Sequence, residues 1–342
     1  MTLFIIFFST LVISLVMTLL TIKIAKKFDV LDRPDENKKR HIGAIPLLGG
    51  LGIFFSFFLV ISVFHENILS GNLTIYNWAG VFFGAIFIVV GGILDDKFNL
   101  GPSRQIIFPV LAVIAVLLGG VQIEKITNPF GGFLMIGGFK VFSSVIIALW
   151  LLGMMYTTKL LDGLDGLVTG VTSIGAFIIF LFTMTEKYYQ PDIGFAALVL
   201  FAACLGFLIL NWHPAKIFLG EGGSLLLGFL LGVLAIISGG KIAIALLVMG
   251  LPIMDVVWVV IRRLKEGKNP FRFADRKHLH HRLLDLGFGV KRTVLIFYGF
   301  SLVFGLSAVF LQSKGKLYAL GMLVLVMFFL VMFLNKKSAK FN

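Results

Sequence analysis

Apolar residues along this chain gather into eleven long runs, at roughly 3–22, 46–64, 78–94, 105–121, 141–161, 167–185, 193–211, 223–238, 242–261, 294–312 and 317–334. The runs are continuous rather than alternating, so they predict helices and not the strands of a β-barrel. Most approach or exceed the ~18 apolar residues that cross a bilayer. The eighth is short and the ninth carries Pro252 and Asp255, which makes these two the weakest spans. The pattern predicts an all-α polytopic membrane protein of about ten or eleven transmembrane helices. It reads as a single integral membrane domain over residues 1–342, with no internal repeat. The first run lacks a basic start and an A-x-A-like cleavage site, and reads as a retained helix rather than a signal peptide. Between the fourth and fifth runs, QIEKITNPFGGFLMIGGFK (122–140) has a turn-forming centre between β-prone flanks. It predicts a short hairpin at the membrane surface.

Composition agrees with this pattern: 58% of residues are hydrophobic and 14% charged, against about 25% charged in a soluble domain. The lone cysteine, Cys204, excludes an intramolecular disulfide. The net charge of +13 would suggest nucleic acid in a soluble protein, but in a membrane protein it is first a matter of topology. With the N-terminus outside, only Lys125, Lys140, Lys187, Lys241, Lys314 and Lys316 fall in outer segments, and the other 24 of the 30 Lys and Arg residues fall inside. Basic loops stay cytoplasmic, so the hairpin is expected on the outer face of the plasma membrane. No nucleic acid is expected as a partner, whereas anionic lipid and phosphate ligands are.

Six acids lie in or beside the runs: Asp95, Asp96, Asp162, Asp165, Glu221 and Asp255. An acid at the centre of a membrane helix costs about 2.5–3.5 kcal/mol and is a functional candidate by default. The threading brings all six to the cytoplasmic ends, from at least four helices. Each has a plainer reading. Asp95 and Asp96, in GGILDDKFNLGPSRQ, could cap a loop whose turn is N-L-G-P. In KLLDGLDGL, Asp162 and Asp165 would share a face if the helix continued, or would mark a D-G turn. Two such dipeptides in succession also suit a backbone opened for close ligand approach. In NWHPAKIFLGEGGSLLLG, Glu221 and Lys216 flank a glycine-rich helix start that could receive a phosphate or simply cap and pack. Asp255, in GLPIMDVVWVVIRR, could bind substrate or pair with a cation from another helix.

The loop RRLKEGKNPFRFADRKHLHHRLLDLG adds His278, His280 and His281. Zinc is one reading of His-x-His, but Arg272, Arg276, Lys277 and Arg282 around it favour an anion. Hard carboxylate oxygens favour Mg²⁺, with Mn²⁺ as the alternative. A carboxylate–metal site beside a basic loop, at the boundary of lipid and cytosol, points to metal-assisted phosphoryl transfer between a soluble donor and a lipid acceptor.

Six motifs in order, RHIGAIPLLGG, GILDDKFNLGPSRQ, LDGLDGL, NWHPAKIFLGEGGSLLLG, LPIMDVVWVVIRR and DRKHLHHRLLDLG, span about residues 33 to 287. Through them the chain resembles the polyprenyl-phosphate N-acetylhexosamine-1-phosphate transferases. That family includes phospho-MurNAc-pentapeptide translocase and the enzymes that begin teichoic acid and O-antigen synthesis. The resemblance implies a cytosolic cleft, Mg²⁺, and attack of a polyprenyl (undecaprenyl) phosphate on the β-phosphorus of a UDP-N-acetylhexosamine, releasing UMP. It implies that Asp95 and Asp96 form an acidic pair, with Asp95 the base or orienter of the lipid phosphate. Asp162 and Asp165 would serve the nucleotide and metal, Glu221 would be a metal ligand, and His278, His280 and His281 would form the donor-phosphate loop. Arg276, Arg282, Lys216 and Asp255 join these as substrate-binding candidates.

IPLLGG and HLHHRL resemble the branch that uses plain UDP-N-acetylhexosamines, which favours UDP-GlcNAc over the pentapeptide donor. Two positions depart from the family pattern: Lys159 stands where the family usually has Asn, and Glu221 where it usually has Asp. Charge compensation of a diphosphate is the role expected for Lys159. The expected partners are thus the UDP-sugar, the lipid and the membrane, and the expectation extends to a homodimer. The competing classes are a cation-coupled secondary transporter, whose site would be expected near the midplane at a repeat interface, and a catalytically inactive relative.

Overall fold

The computed structural model describes residues 1–34, 43–68, 73–128, 131–239, 242–267 and 277–338. Continuous apolar runs become helices because a chain in lipid must satisfy its backbone polar groups internally. In order the elements are α1 (Thr2–Lys27), β1 (Leu31–Asp32), β2 (Ile45–Pro46), α2 (Gly49–Val63), α3 (His65–Ile68), α4 (Ile75–Phe98), α5 (Pro102–Gln105) and α6 (Ile107–Leu118). There follow β3 (Lys125–Thr127), β4 (Phe133–Met135), α7 (Lys140–Leu161), α8 (Leu167–Thr183), α9 (Pro191–Asn211), α10 (Gly220–Ile237) and α11 (Ile242–Val248). The last are α12 (Gly250–Lys265), α13 (Leu279–Asp285), α14 (Val290–Phe310) and α15 (Ser313–Ser338). The protein is an all-α polytopic membrane protein.

Among the described residues seven helices are long and apolar enough to cross a membrane: α1, α4, α7, α9, α10, α14 and α15. The bent pair of α11 and α12 brings the number to eight if it is one span, and the remaining runs form shorter helices. Three of the eleven runs form shorter apolar helices, Gly49–Val63, Pro102–Leu118 and Leu167–Thr183. A helix of that size rises only about 22–26 Å, short of a ~30 Å hydrocarbon core. The ninth run is a broken pair, α11 and α12, bent by 79°. Pro252 lies in the first turn of α12, where its missing N–H is tolerated, whereas inside a straight helix it would remove a hydrogen bond.

The exterior and interior of α1 show the inversion expected in lipid. Phe4, Phe8, Val12 and Leu19 are exposed, while Thr10, Ser14, Thr18 and Thr21 are buried. Ser14 Oγ donates to the carbonyl of Ala203 on α9 at 2.6 Å, a contact that small polar residues permit between membrane helices. Helix α10 is the centre, almost wholly buried and packed against α2, α4, α7 and α8. Glycines allow this approach: a Cβ on Gly92 would overlap the backbone of Gly222, and one on Gly50 the backbone of Gly223.

The expected hairpin is present as β3 and β4, antiparallel with Ile126 opposite Leu134. A second, unexpected pair, β1 with β2, places Leu31 opposite Pro46. The strand that carries Ile45 and Pro46 runs on to the start of α10: Phe218 N–H donates to Pro46 O at 2.8 Å, and Gly50 N–H to Leu219 O at 2.9 Å. The IPLLGG motif thus holds the glycine-rich entry to α10.

Candidate active site

The site forms where the C-terminal ends of α4 and α7 meet the N-terminal end of α10. Helix α4 stops at Asn99 in the left-handed conformation, whose N–H returns to Asp95 O at 2.7 Å. The buried Asp95 carboxylate accepts from Leu100 N–H at 2.7 Å and from Gln105 Nε2 at 3.0 Å to each oxygen. Asp95 is therefore committed to amide donors and does cap the loop.

Asp96 faces α10 instead. Its Oδ1 accepts from Glu221 N–H at 3.1 Å, a carboxylate at the positive end of a helix dipole. Gly220 makes this possible: its φ is +72° and a Cβ there would strike Leu47 O and the Asp96 carboxylate. The glycine-rich helix start that could have received a phosphate thus has its Glu221 N–H taken by Asp96.

KLLDGLDGL does not continue as helix. α7 ends at Leu161, Asp162 is its C-cap, and α8 begins after Gly166 with φ +77°. Asp162 and Asp165 therefore do not share a helical face; the two D-G dipeptides form a turn between α7 and α8. Asp165 Oδ2 lies 2.6 Å from His213 Nδ1 and accepts from Ala215 N–H at 3.1 Å. The pKa of Asp162 is raised to about 8, by loss of water around the carboxyl and by the charges of Glu221, Asp96 and Asp165. The residue keeps an exposed surface at the cleft mouth, so the repulsion from these three carboxylates is the firmer cause.

Lys159, on the last turn of α7, reaches across to α10. Its Nζ stands 2.9 Å from Glu221 Oε2 and donates to Gln105 Oε1 at 3.0 Å. Glu221 Oε2 is sealed from solvent yet has no hydrogen bond of acceptable geometry, so its contact with Lys159 is an ion contact rather than a directed bond. The two residues that depart from the family pattern touch each other. A small cavity beside them is lined by Ile88, Phe108, Leu225, Asp95, Lys159 and Glu221 among others.

The histidine loop closes over the DGLDG turn. His278 Nδ1 lies 2.8 Å from Asp255 Oδ2, and Leu279 N–H donates to Asp255 Oδ1 at 2.8 Å. Asp255 and His278 are both buried, so Asp255 anchors the start of α13 from within. The ring of His280 stacks on that of His278, with centroids 5.7 Å apart, and meets His281 at 4.2 Å. A Cβ on Gly163 would lie 2.5 Å from His280 Nε2, so the imidazole rests directly on the turn between the two aspartates. Burial, with His281 and His278 nearby, holds the His280 pKa well below its ordinary value; the ring is neutral, and its Nδ1 is buried without a partner.

Arg282 is half-buried on α13. Lys216 is exposed beyond the cis His213–Pro214 bond. Arg272 and Arg276 lie outside the described residues. Three further residues were not singled out from sequence: His213, Gln105 and Tyr298. Tyr298 of α14 donates to Gly166 O and packs over Gly170. His213 and Gln105 stand inside quoted motifs, but their partners are distant in sequence, and Tyr298 carries no local signal at all.

Carboxylates from α4, α7 and α10 are hard oxygen donors, and Glu221 Oε2 already attracts a cation, the Lys159 ammonium; this donor chemistry fits a divalent ion such as Mg²⁺. Among the described residues no three His, Cys, Asp or Glu side chains stand close enough to hold an ion by themselves. One or two carboxylates with substrate phosphates suffice for Mg²⁺.

The family model for glycosyl transferase family 4 matches residues 78–239, which include Asp95, Asp96, Lys159, Asp162, Asp165, His213 and Glu221. A probable undecaprenyl-phosphate N-acetylglucosaminyl 1-phosphate transferase of Bacillus subtilis is 31% identical over 96% of this chain and 89% of that protein. An undecaprenyl-phosphate alpha-N-acetylglucosaminyl 1-phosphate transferase of Thermotoga maritima is 33% identical over 86% of each. The Escherichia coli K12 protein of the same description is 28% identical, over 91% of this chain and 84% of its own length.

Proposed function

Because the chain belongs to glycosyl transferase family 4, we propose that it transfers N-acetylglucosamine 1-phosphate from UDP-GlcNAc to a polyprenyl phosphate, with undecaprenyl phosphate the expected lipid. An oxygen of the lipid phosphate attacks the β-phosphorus of the donor. The bond from that phosphorus to the bridging oxygen breaks, and the products are polyprenyl-diphospho-GlcNAc and UMP. The relatives' names support the sugar and the lipid class over the pentapeptide donor. This would be the first membrane step in building a cell-wall or surface polysaccharide.

The observation that carries the reading is the meeting of Asp96, Asp162 and Glu221, from three helix ends. Asp95, already accepting three amide contacts, suits orienting the acceptor better than taking its proton. His280, neutral and buried against Gly163, would support from beneath the turn along which a donor diphosphate would lie. Asp165 and His213 fix the far side of that turn. Mg²⁺ held between Asp162, Glu221 and the donor phosphates would neutralise charge developing on the leaving UMP. The charge bias of the loops supports a cytoplasmic placement of this end of the bundle, where a soluble nucleotide sugar is available.

The test is release of UMP by the purified protein from a panel of UDP-sugars, with Mg²⁺ and undecaprenyl phosphate. UMP is expected with UDP-GlcNAc and only when the lipid is present. A folded protein that releases none from any donor overturns the proposal and favours an inactive relative.

A further inference from the structure

One cation is already built into the carboxylate cluster. Lys159 Nζ lies 2.9 Å from Glu221 Oε2 and donates to Gln105 Oε1. Gln105 in turn donates to Asp95, and the N–H of Glu221 donates to Asp96. The ammonium therefore holds one carboxylate directly and is linked to two others through single groups. The Lys159 side chain is only 18% exposed and that of Glu221 34%, so the pair stands in the cleft wall. Bulk water and salt screen it less there than on an open surface.

A divalent cation seeking Glu221 meets a positive charge already on that oxygen. Two like charges a few ångströms apart repel strongly at the effective dielectric of a protein wall. A lysine also cannot fold back freely, because Gln105 holds it by its carbonyl while Asp95 holds Gln105. We infer that Lys159 is the resident cation of this site. Its ammonium offsets part of the negative charge that would otherwise draw a divalent ion, so the protein binds such ions more weakly than the same scaffold without that ammonium. The meaning for catalysis rests on the cleft being the phosphoryl-transfer site; the competition between the charges does not.

Equilibrium binding of Mn²⁺ alone, followed by the electron paramagnetic resonance of the free ion, tests this on the full-length detergent-purified protein. Wild type, Lys159→Gln and Lys159→Arg are compared, each checked for monodisperse elution and an unchanged melting temperature. Lys159→Gln is expected to bind Mn²⁺ about tenfold more tightly or better, and Lys159→Arg to stay within about twofold of wild type. Lys159→Asn, also neutral, takes the place of the Gln variant if that does not fold. Equal affinity in wild type and the neutral variant overturns the inference. So does an equal gain in the Arg variant, which would trace the effect to loosened geometry, and so does absence of Mn²⁺ binding in all three. UMP release is read separately, so its failure would sink the proposed reaction while the Mn²⁺ comparison stays readable.

Discussion

His213 Nδ1 lies 2.6 Å from Asp165 Oδ2, joining the loop after α9 to the turn before α8. The Ala215 N–H adds a second bond to the same oxygen, so the loop grips one carboxylate of DGLDG while leaving Asp162 to the cleft. His213 is thus a positioning residue for the turn on which the donor is proposed to lie. His213→Ala should lower kcat about ten- to a hundredfold, the range seen when outer partners of site residues are lost. Steady-state kinetics with the donor varied provide the check. A change confined to thermal stability would instead assign His213 a structural role alone.

Gly163→Ala isolates the contact between the turn and the histidine loop. The new methyl would stand 2.5 Å from His280 Nε2. Gly163 is not among the glycines with positive φ, so alanine brings no backbone strain there. The ring must move, and kcat/KM for the donor is expected to fall about tenfold or more, given how steeply rate depends on placement. Melting temperature should change little, which thermal denaturation would show.

Asp255→Ala should act on stability as well as on activity. It leaves the buried His278 Nδ1 and the Leu279 N–H without their acceptor, a loss of about 1–3 kcal/mol per group left unsatisfied. The start of α13 is then released, and the donor KM should rise more than kcat falls. Hydrogen exchange over residues 279–285 would report the loosening directly.

The raised pKa of Asp162, about 8, gives a pH dependence with a definite sign. Below that value the carboxyl is protonated and a poor metal ligand; above it the carboxylate is available. Mn²⁺ affinity should therefore climb as pH rises through about 8, and Asp162→Asn should remove that climb. For stability the sign is opposite. The folded-state pKa exceeds the ordinary 3.8, so the stability linked to the protonated form is complete below about pH 4 and is lost as pH rises through about 8. Titrations of Mn²⁺ binding and of melting temperature across this window check both.

The helices are legible in the apolar runs because each must satisfy its own backbone in lipid, and every run coincides with helix. Length and straightness are less legible. Gly49–Val63 and Leu167–Thr183 are apolar but shorter than their runs, and the break after Val248 coincides with Pro252 in a first turn, not with a change of hydropathy. At the site, carboxylates stand out because acids are costly in an apolar chain. Their partners do not: His213, Gln105 and Tyr298 are ordinary residues until folding brings them to Asp165, Lys159 and Gly166. The contact between Lys159 and Glu221 belongs to the same class, since each is a local oddity whose explanation lies on another helix.

The central claim is that a sugar 1-phosphate, not a sugar, is moved to the lipid. Its most direct measurement follows a UDP-GlcNAc labelled at the β-phosphate, incubated with the purified protein, Mg²⁺ and undecaprenyl phosphate. The account predicts that the label passes into the organic phase on the lipid while unlabelled UMP appears in equal amount. Label that stays in the aqueous phase as UDP, with the sugar alone on the lipid, would contradict it.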